Sequence, residues 1–443
     1  MKAFIQATMD RQIRDLQTLV RIPSVSRGEP AEPGKPFGKT VFSALEAALA
    51  IARGLGFTKV WHVDGYAGVV EYGEGDEVLG ILAHLDVVPE GQGWTYPPYG
   101  AEIHDGRIYG RGTLDDKGAA VSALYALAAV KDSGMKMKRR VRIILGTDEE
   151  IGSLGVEHYL KVEGAPTMAF TPDAEYPVVN SEMGILQTTY HRDGAFGIRI
   201  ACGAAANVIP GVVTVTLPVP AVETTVPEGF AADFSGNTLT VTGRGGHASM
   251  PEFAHNALLA ALDILTRQPL PEADLALVKR LNALWALDLH GESLGIDVTD
   301  DSGRTTYSPD MLTVDETGVT FTCDCRHPFT LKADDLLAVW DKAYEGFARV
   351  KTVIKPGHFI PADTELVSTL MQVYNEINGS VSKPLSMGGG TYARELPNAV
   401  AFGIVREGDE NLCHVPDESV ALDNLRFNTE VMAEAIKRLA AQQ

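Results

Sequence analysis

Hydrophobic and polar positions divide the chain into three stretches. Residues 2–20 place Phe4, Ile5, Met9, Ile13, Leu16 and Leu19 at helical spacing, which predicts an amphipathic helix. A second helix is predicted over 40–55. Short apolar runs follow at 77–88 (EVLGILAHLDVV), 139–150 (RRVRIILGTDEE) and 166–173 (PTMAFTPD), and they read as buried strands. Between the first two lies 117–131 (KGAAVSALYALAAVK). It is apolar on nearly every side, which predicts a helix covered by protein all round. Strands alternating with helices point to an α/β layer.

The middle stretch reads differently. From 185 to 357 strand-like alternation dominates, as in NTLTVTG and GVTFTCDCR, interrupted by predicted helices at 256–267 and 333–349. From 358 the α/β character resumes with a helix at 364–377, a glycine loop at 388–390, a strand at 399–404 and a last helix at 429–441. The expected fold class is α/β: a domain of residues 1–184 and 358–443 with a mixed, mostly parallel sheet flanked by helices, and an inserted α+β domain of residues 185–357.

Composition narrows the function classes. The 443 residues are 45% hydrophobic and 22% charged, an ordinary globular balance in a chain too long for one core. A net charge of −20 repels phosphate backbones, so no nucleic-acid partner is expected. No apolar run reaches the length of about 18 residues that a transmembrane helix needs, so no membrane partner is expected. Asp10, Arg11, Arg14 and Asp15 interrupt the first helix, which therefore does not read as a signal peptide. Cys202, Cys323, Cys325 and Cys413 lack disulfide-framework spacing, which points to the reducing cytoplasm.

The chemistry gathers at strand ends. His84 and Asp86 follow one apolar run, Glu149 and Glu150 a second, and Asp173 a third, while Asp115 and Asp116 stand at the start of the apolar helix. In open α/β sheets ligands bind beyond the carboxyl ends of the strands. Carboxylates crowded there repel one another unless cations relieve them. Asp115, Glu150 and Asp173 with one hydroxide would balance two divalent ions, and His84 and His414 would complete the shells.

These residues sit in motifs that resemble a known family. The stretches are AHLDVVPEGQGWTYPPYGAEIHDGRIYGRGTLDDKGAA at 83–120, LGTDEEIGSLG at 145–155, TPDAEYP at 171–177, GRGGHASMPE at 243–252, MGGGTYAR at 387–394 and CHVPDE at 413–418. They are similar to the co-catalytic dinuclear zinc metallopeptidases of the aminoacylase and desuccinylase type, and most of all to the PepV-like dipeptidase branch. The resemblance implies that the inserted domain is a lid. His84 and Asp173 would bind one ion, Glu150 and His414 the second, and Asp115 would bridge them across a cis Asp115–Asp116 peptide. Asp86 would orient the His84 imidazole. Glu149 would be the general base and His247 the oxyanion donor. Arg326 and Asn207 would recognise the substrate carboxylate, together with Gly388, Gly389, Gly390 and Tyr392. The implied cofactor is two Zn2+, with Mn2+ or Co2+ accepted, and the implied partner is a small peptide. The inserted segment is longer than in dimeric members, which implies a monomer.

The expected activity is hydrolysis of dipeptides with a free amino terminus. Two alternatives stay open at this point: an N-acyl amino acid amidohydrolase of deacetylase or desuccinylase type, and a non-catalytic metal- or peptide-binding relative.

Overall fold

The computed structural model describes residues 1–442. The chain forms two compact units: Met1–Asn180, Ile360–Leu385 and Gly390 onward make the first, and Ser181–Phe359 with Ser386–Gly389 make the second.

The first unit is built on a sheet with the strand order Lys59–Val63, Ala67–Tyr72, Arg140–Gly146, Val78–His84, Met168–Thr171, Ala399–Ala401. The last four run parallel, with Leu79 paired to Val141 and Met168, and Ala399 to Ala169. All seven residues of Val78–His84 are buried, as expected for a parallel strand with both faces covered. The register sets His84 opposite Gly146, so the groups that follow each strand emerge at one rim.

The helix Lys117–Asp132 lies in the core of this unit and is buried without interruption from Lys117 to Val130. Its alanine-rich sequence favours the helix and lets neighbouring backbones come close. Lys117 is buried with it, and its Nζ donates to the carbonyls of Leu19 (3.1 Å) and Ile22 (2.8 Å). Burial pulls this amine down to about 7. The first helix, Lys2–Val20, buries Ile5, Leu16, Leu19 and Val20. It also buries Gln12, whose Nε2 donates to Thr429 Oγ1 at 2.8 Å.

The second unit carries an eight-stranded sheet whose pairings are all antiparallel. Its core includes Cys323, Cys325, Phe321, Tyr307 and Trp285 together with helices Ala257–Leu265, Glu272–Trp285 and Ala333–Ala343.

Three elements depart from the sequence expectation. The last helix spans Leu422–Ala440 and begins seven residues earlier than 429; its first turns bury Asn428 and Thr429, so polar residues occupy core positions and blur the apolar period. The helix Glu272–Trp285 was not expected, because Pro269 and Pro271 break the stretch that leads into it. The helix from 333 stops at Ala343, and Ala348–Lys355 is a strand. That strand lies at the sheet edge, where lysine and arginine block further pairing and mask the apolar signal.

Asp310, in the second unit, is fully buried at an irregularity between Pro309 and Met311. Its Oδ1 accepts from Ser308 Oγ at 2.5 Å, and its Oδ2 has no hydrogen-bond partner among the described residues. Burial pushes this carboxyl up to about 8, and Asp324 adds to the shift while Arg326 opposes it. The folded chain therefore holds a proton that the unfolded chain releases near pH 4, and the stability tied to Asp310 is lost as pH rises through 8. Asp310→Asn keeps the acceptor for Ser308 without the charge. Its melting temperature should gain on the unmodified protein as pH goes from 5 to 9; a pH-independent difference would show that Asp310 is ionised throughout.

Candidate metal centre

The rim of the parallel sheet brings six side chains of the first unit together. His84 ends its strand and is wholly buried. Its Nε2 lies 2.9 Å from Asp115 Oδ1 and 3.8 Å from Asp173 Oδ2. His414 Nε2 lies 2.9 Å from Asp115 Oδ2 and 3.1 Å from Glu150 Oε2. Asp115 thus turns one oxygen toward each imidazole, as a shared ligand would. Two sets of donor atoms each fall within 4.8 Å of one another: His84, Asp115 and Glu150; and His84, Glu149 and Asp173. Glu149, expected as a base, lies close enough to count among the donors.

The electrostatics describe a cluster short of positive charge. Burial pushes Glu149 up to about 8, with the charge of Glu150 and Asp115 adding to it. Burial likewise raises Asp173, reinforced by Asp115 and Asp116. Hydrogen bonds to Asp115 and Glu150 lift His414 to about 10. Burial opposes the charged form of His84, but contacts with Asp115, Asp86 and Asp173 outweigh it and raise the group. Asp115 is held low against burial by the two imidazoles. Without a cation the cluster would have to bind protons to persist. Imidazole nitrogen and carboxylate oxygen are the donors that Zn2+, Mn2+ and Co2+ accept, so the residues present fit a pair of such ions.

The supporting residues differ in part from expectation. The His84 Nδ1 lies 2.9 Å from the Asp86 backbone oxygen and 3.5 Å from its carboxylate. The Asp86 carboxylate accepts instead from the backbone N–H groups of Glu149 (3.1 Å) and Glu150 (3.2 Å) and from Ser26 Oγ (2.5 Å). It therefore shapes the turn Asp148–Glu150 as well as flanking the imidazole. Asp116 stands at the cap of the buried helix but makes no side-chain cap bond. Its Oδ2 accepts from the His84 backbone N–H at 3.0 Å. The Asp115–Asp116 peptide is cis. Ser26 was missed by the sequence reading, because one serine in a loop carries no periodic or motif signal. The paired aspartates were visible, but the reach of Asp116 to another strand was not.

The second unit holds the remaining candidates. The backbone N–H of Ser249 donates to His247 Nδ1 at 3.1 Å. The same Nδ1 lies 2.7 Å from Ser249 Oγ, and Nε2 lies 3.3 Å from the Asn207 amide nitrogen. Partial burial and the Arg326 charge hold this imidazole below its ordinary value. Arg326 is buried on the sheet face opposite Cys323 and Cys325. Its Nε and Nη2 donate to Asp324 Oδ1 (2.8 Å) and Oδ2 (3.1 Å), and its Nη1 donates to the Gly388 carbonyl at 2.6 Å. A substrate carboxylate would thus meet only the remaining N–H groups on Nη1 and Nη2. Asp324, two residues away on the strand, was not anticipated.

The glycine loop departs from a single carboxylate nest. Gly388 and Gly389 fall in the second unit and Gly390 in the first. A Cβ at Gly388 would come within 2.6 Å of Ser249 Cβ, and one at Gly390 within 2.2 Å of Arg394 Nε, so close packing is one reason for glycine at both. Tyr392 does not take the exposed place expected of a substrate contact. It is wholly buried in the core with Val69, Leu82 and Ile144, and its ring covers Gly146, where any Cβ would collide with the hydroxyl. Its side chain has no exposed surface here, and its hydroxyl has no hydrogen-bond partner among the described residues.

Both the sequence and the fold have known counterparts. Residues 80–438 match the family described as Peptidase family M20/M25/M40. A putative dipeptidase, YtjP, of Bacillus subtilis (strain 168) is 37% identical, covering 97% of this chain and 97% of that protein. A Beta-Ala-Xaa dipeptidase of Lactobacillus delbrueckii subsp. lactis is 33% identical over 100% of this chain and 98% of its own length. Among solved structures, the dipeptidase Dug1p of Saccharomyces cerevisiae superposes with a TM-score of 0.60 at 16% identity, covering 99% of this chain and 97% of that one; it shares the fold. The family match over residues 80–438 and the full-length relatives define a peptidase-type chain. It belongs to peptidase family M20/M25/M40.

The Ser26–Asp86 bond carries a direct prediction. Ser26→Ala removes one buried hydrogen bond to a carboxylate, a contact worth about 1.5–3 kcal/mol. Urea unfolding should show a loss of that size, larger than for serine-to-alanine changes at exposed positions.

Proposed function

We infer that the protein is a metal-dependent dipeptidase acting on dipeptides with a free amino terminus. The observation that carries this reading is Asp115, whose two carboxylate oxygens each lie 2.9 Å from a different imidazole, amid Glu149, Glu150 and Asp173. The match over the full length of relatives named as dipeptidases supports the substrate class.

In this reading His84 and Asp173 would hold one ion, Glu150 and His414 the other, and Asp115 would serve both. Zinc is the proposed resident, and manganese or cobalt would fit the same donors. A bound pair of divalent ions supplies Lewis-acid polarisation of a carbonyl and activation of a water. Glu149 takes the proton of the attacking water on a carboxylate oxygen and returns it to the nitrogen of the departing amine. Asp86 keeps Glu149 in place through the backbone of its turn. His247 is proposed as the oxyanion donor, and Arg326 and Asn207 as the groups that recognise the carboxylate; within the second unit the Asn207 amide lies beside the His247 ring. The glycine loop is kept as a backbone contributor, and Tyr392 is not.

A cytoplasmic setting is supported by four free cysteines and by the lack, among the described residues, of any helix long and apolar enough to cross a membrane. A monomer is the proposed state, to be read by light scattering.

Two experiments test the assignment. Glu149→Gln should lower kcat for a dipeptide by at least about 100-fold, the low end of what general-base catalysis supplies, while elemental analysis still finds two ions per chain. Turnover at the original rate would remove Glu149 as the base. A side-by-side panel of dipeptides and N-acetyl or N-succinyl amino acids should show turnover of the free-amine substrates alone, abolished by chelator and restored by Zn2+, Mn2+ or Co2+. Preferential cleavage of the acylated compounds would instead favour the amidohydrolase alternative.

A further inference from the structure

The segment that carries His414 meets the loop that carries Asp115 through a short ladder. Ser419–Ala421 pairs antiparallel with Arg107–Tyr109, Ser419 opposite Tyr109. One more backbone bond follows, from Gly110 N–H to the Glu418 carbonyl at 2.9 Å. Beyond it the two chains diverge, and the N–H groups of the 110–115 loop lose their strand partner.

The Glu418 side chain takes over there. Its Oε1 accepts from the backbone N–H groups of Gly112 (2.9 Å), Leu114 (2.9 Å) and Asp115 (3.1 Å). Its Oε2 accepts from Arg111 Nη1 at 2.6 Å. Glu418 is wholly buried, and so is Arg111 but for 1%. Arg111 in turn lies over the Trp94 ring at 5.3 Å. On the other side of Glu418, Asp417 Oδ1 accepts from the N–H groups of Thr95 (2.8 Å) and Tyr96 (3.3 Å). The backbone is left-handed at both His414 (φ 64°) and Asp417 (φ 57°). A loop bent this way needs firm anchors to persist, and Glu418 is the anchor nearest the cation ligands.

We propose that Glu418 is a positioning residue of the metal centre: its buried carboxylate fills a nest of backbone N–H groups and so fixes Asp115 and the His414 loop relative to each other. The inference rests on the metal-centre reading above. Three convergent backbone donors form the kind of concavity that binds an anion, and here the anion is part of the same chain, four residues from His414. Loss of the negative charge would leave the buried Arg111 guanidinium without its counter-charge, and loss of the whole side chain would also strip the three N–H groups of their acceptor. The consequence falls on Asp115, because its own N–H is one of the donors.

The test is cation binding and cobalt spectroscopy on the full chain. In Glu418→Gln the amide oxygen can still accept from the three N–H groups, while its NH2 faces Arg111. Partners that orient metal ligands typically change affinity 10–100-fold when altered. The expected result is a loss of that size in Co2+ affinity by competition with a chromophoric chelator, a changed visible absorption of the cobalt-loaded protein, and a lower kcat with KM for a dipeptide nearly unchanged. Val373→Ala, in the core of the same unit, supplies the comparison for general loss of stability. Should Glu418→Gln fail to fold, Arg111→Gln leaves the three N–H bonds intact and should show the same changes at smaller size. Wild-type affinity and spectrum in the folded variant would overturn the role of Glu418, as would an equal loss in Val373→Ala. If the unmodified protein binds no Co2+, the metal-centre reading itself falls.

Discussion

Negative charge packed into a protein interior has to be neutralised, and this requirement organises the first unit. Asp86, Asp115, Asp116, Glu149 and Asp173 are collected beyond the ends of parallel strands, where burial opposes ionisation of each. Hydrogen bonds absorb part of the cost. Asp86 draws on the backbone of the Glu149 turn, Asp116 on the N–H of His84, and Asp115 on two imidazoles. The rest is left for cations, and the donor types remaining are those that divalent metals take. The fully buried alanine-rich helix and the parallel strands supply the rigid frame in which so much like charge can be held.

That frame is precise because backbone positions, rather than long flexible side chains, set the geometry. The His84 ring follows from the last residue of a strand and its register with Gly146. The Glu149–Glu150 pair follows from a turn that Asp86 ties down, and the Asp115 carboxylate from a loop that Glu418 closes. In each case a buried carboxylate accepts from backbone N–H groups, so the acids of this region do two kinds of work. Some face the cation positions and some hold the chain that presents them.

The second unit uses charge differently. Arg326 is paired with Asp324 on its own strand and with the Gly388 carbonyl, and the His247 ring is held at Nδ1 by the Ser249 backbone and hydroxyl. A bidentate ion pair between Arg326 and Asp324 fixes the guanidinium plane, so whatever it binds is met by a fork already oriented. Asp310 is one of several buried polar groups of this unit without a full set of partners, with Thr188, Thr306, His327 and Trp340 among the others.

The sequence by itself determined the α/β alternation, the buried helix at 117–131 and the chemistry at the strand ends. These signals are local: periodicity, β-branched runs and short motifs depend on neighbours in the chain. It also named the six side chains that meet at the rim, because the motifs containing His84, Asp115, Glu149, Glu150, Asp173 and His414 are each distinctive in residue type and spacing. What only tertiary structure decided is which groups support them. Ser26, Asp116, Asp324 and Glu418 act on partners brought near by strand register and loop closure, and nothing in their flanking residues says which backbone N–H or side chain they will reach. Tyr392 shows the converse. Its place beside a glycine loop suggested a ligand contact, yet packing against Gly146 turned it into the core, since an aromatic ring gains more from burial than a motif position can foretell.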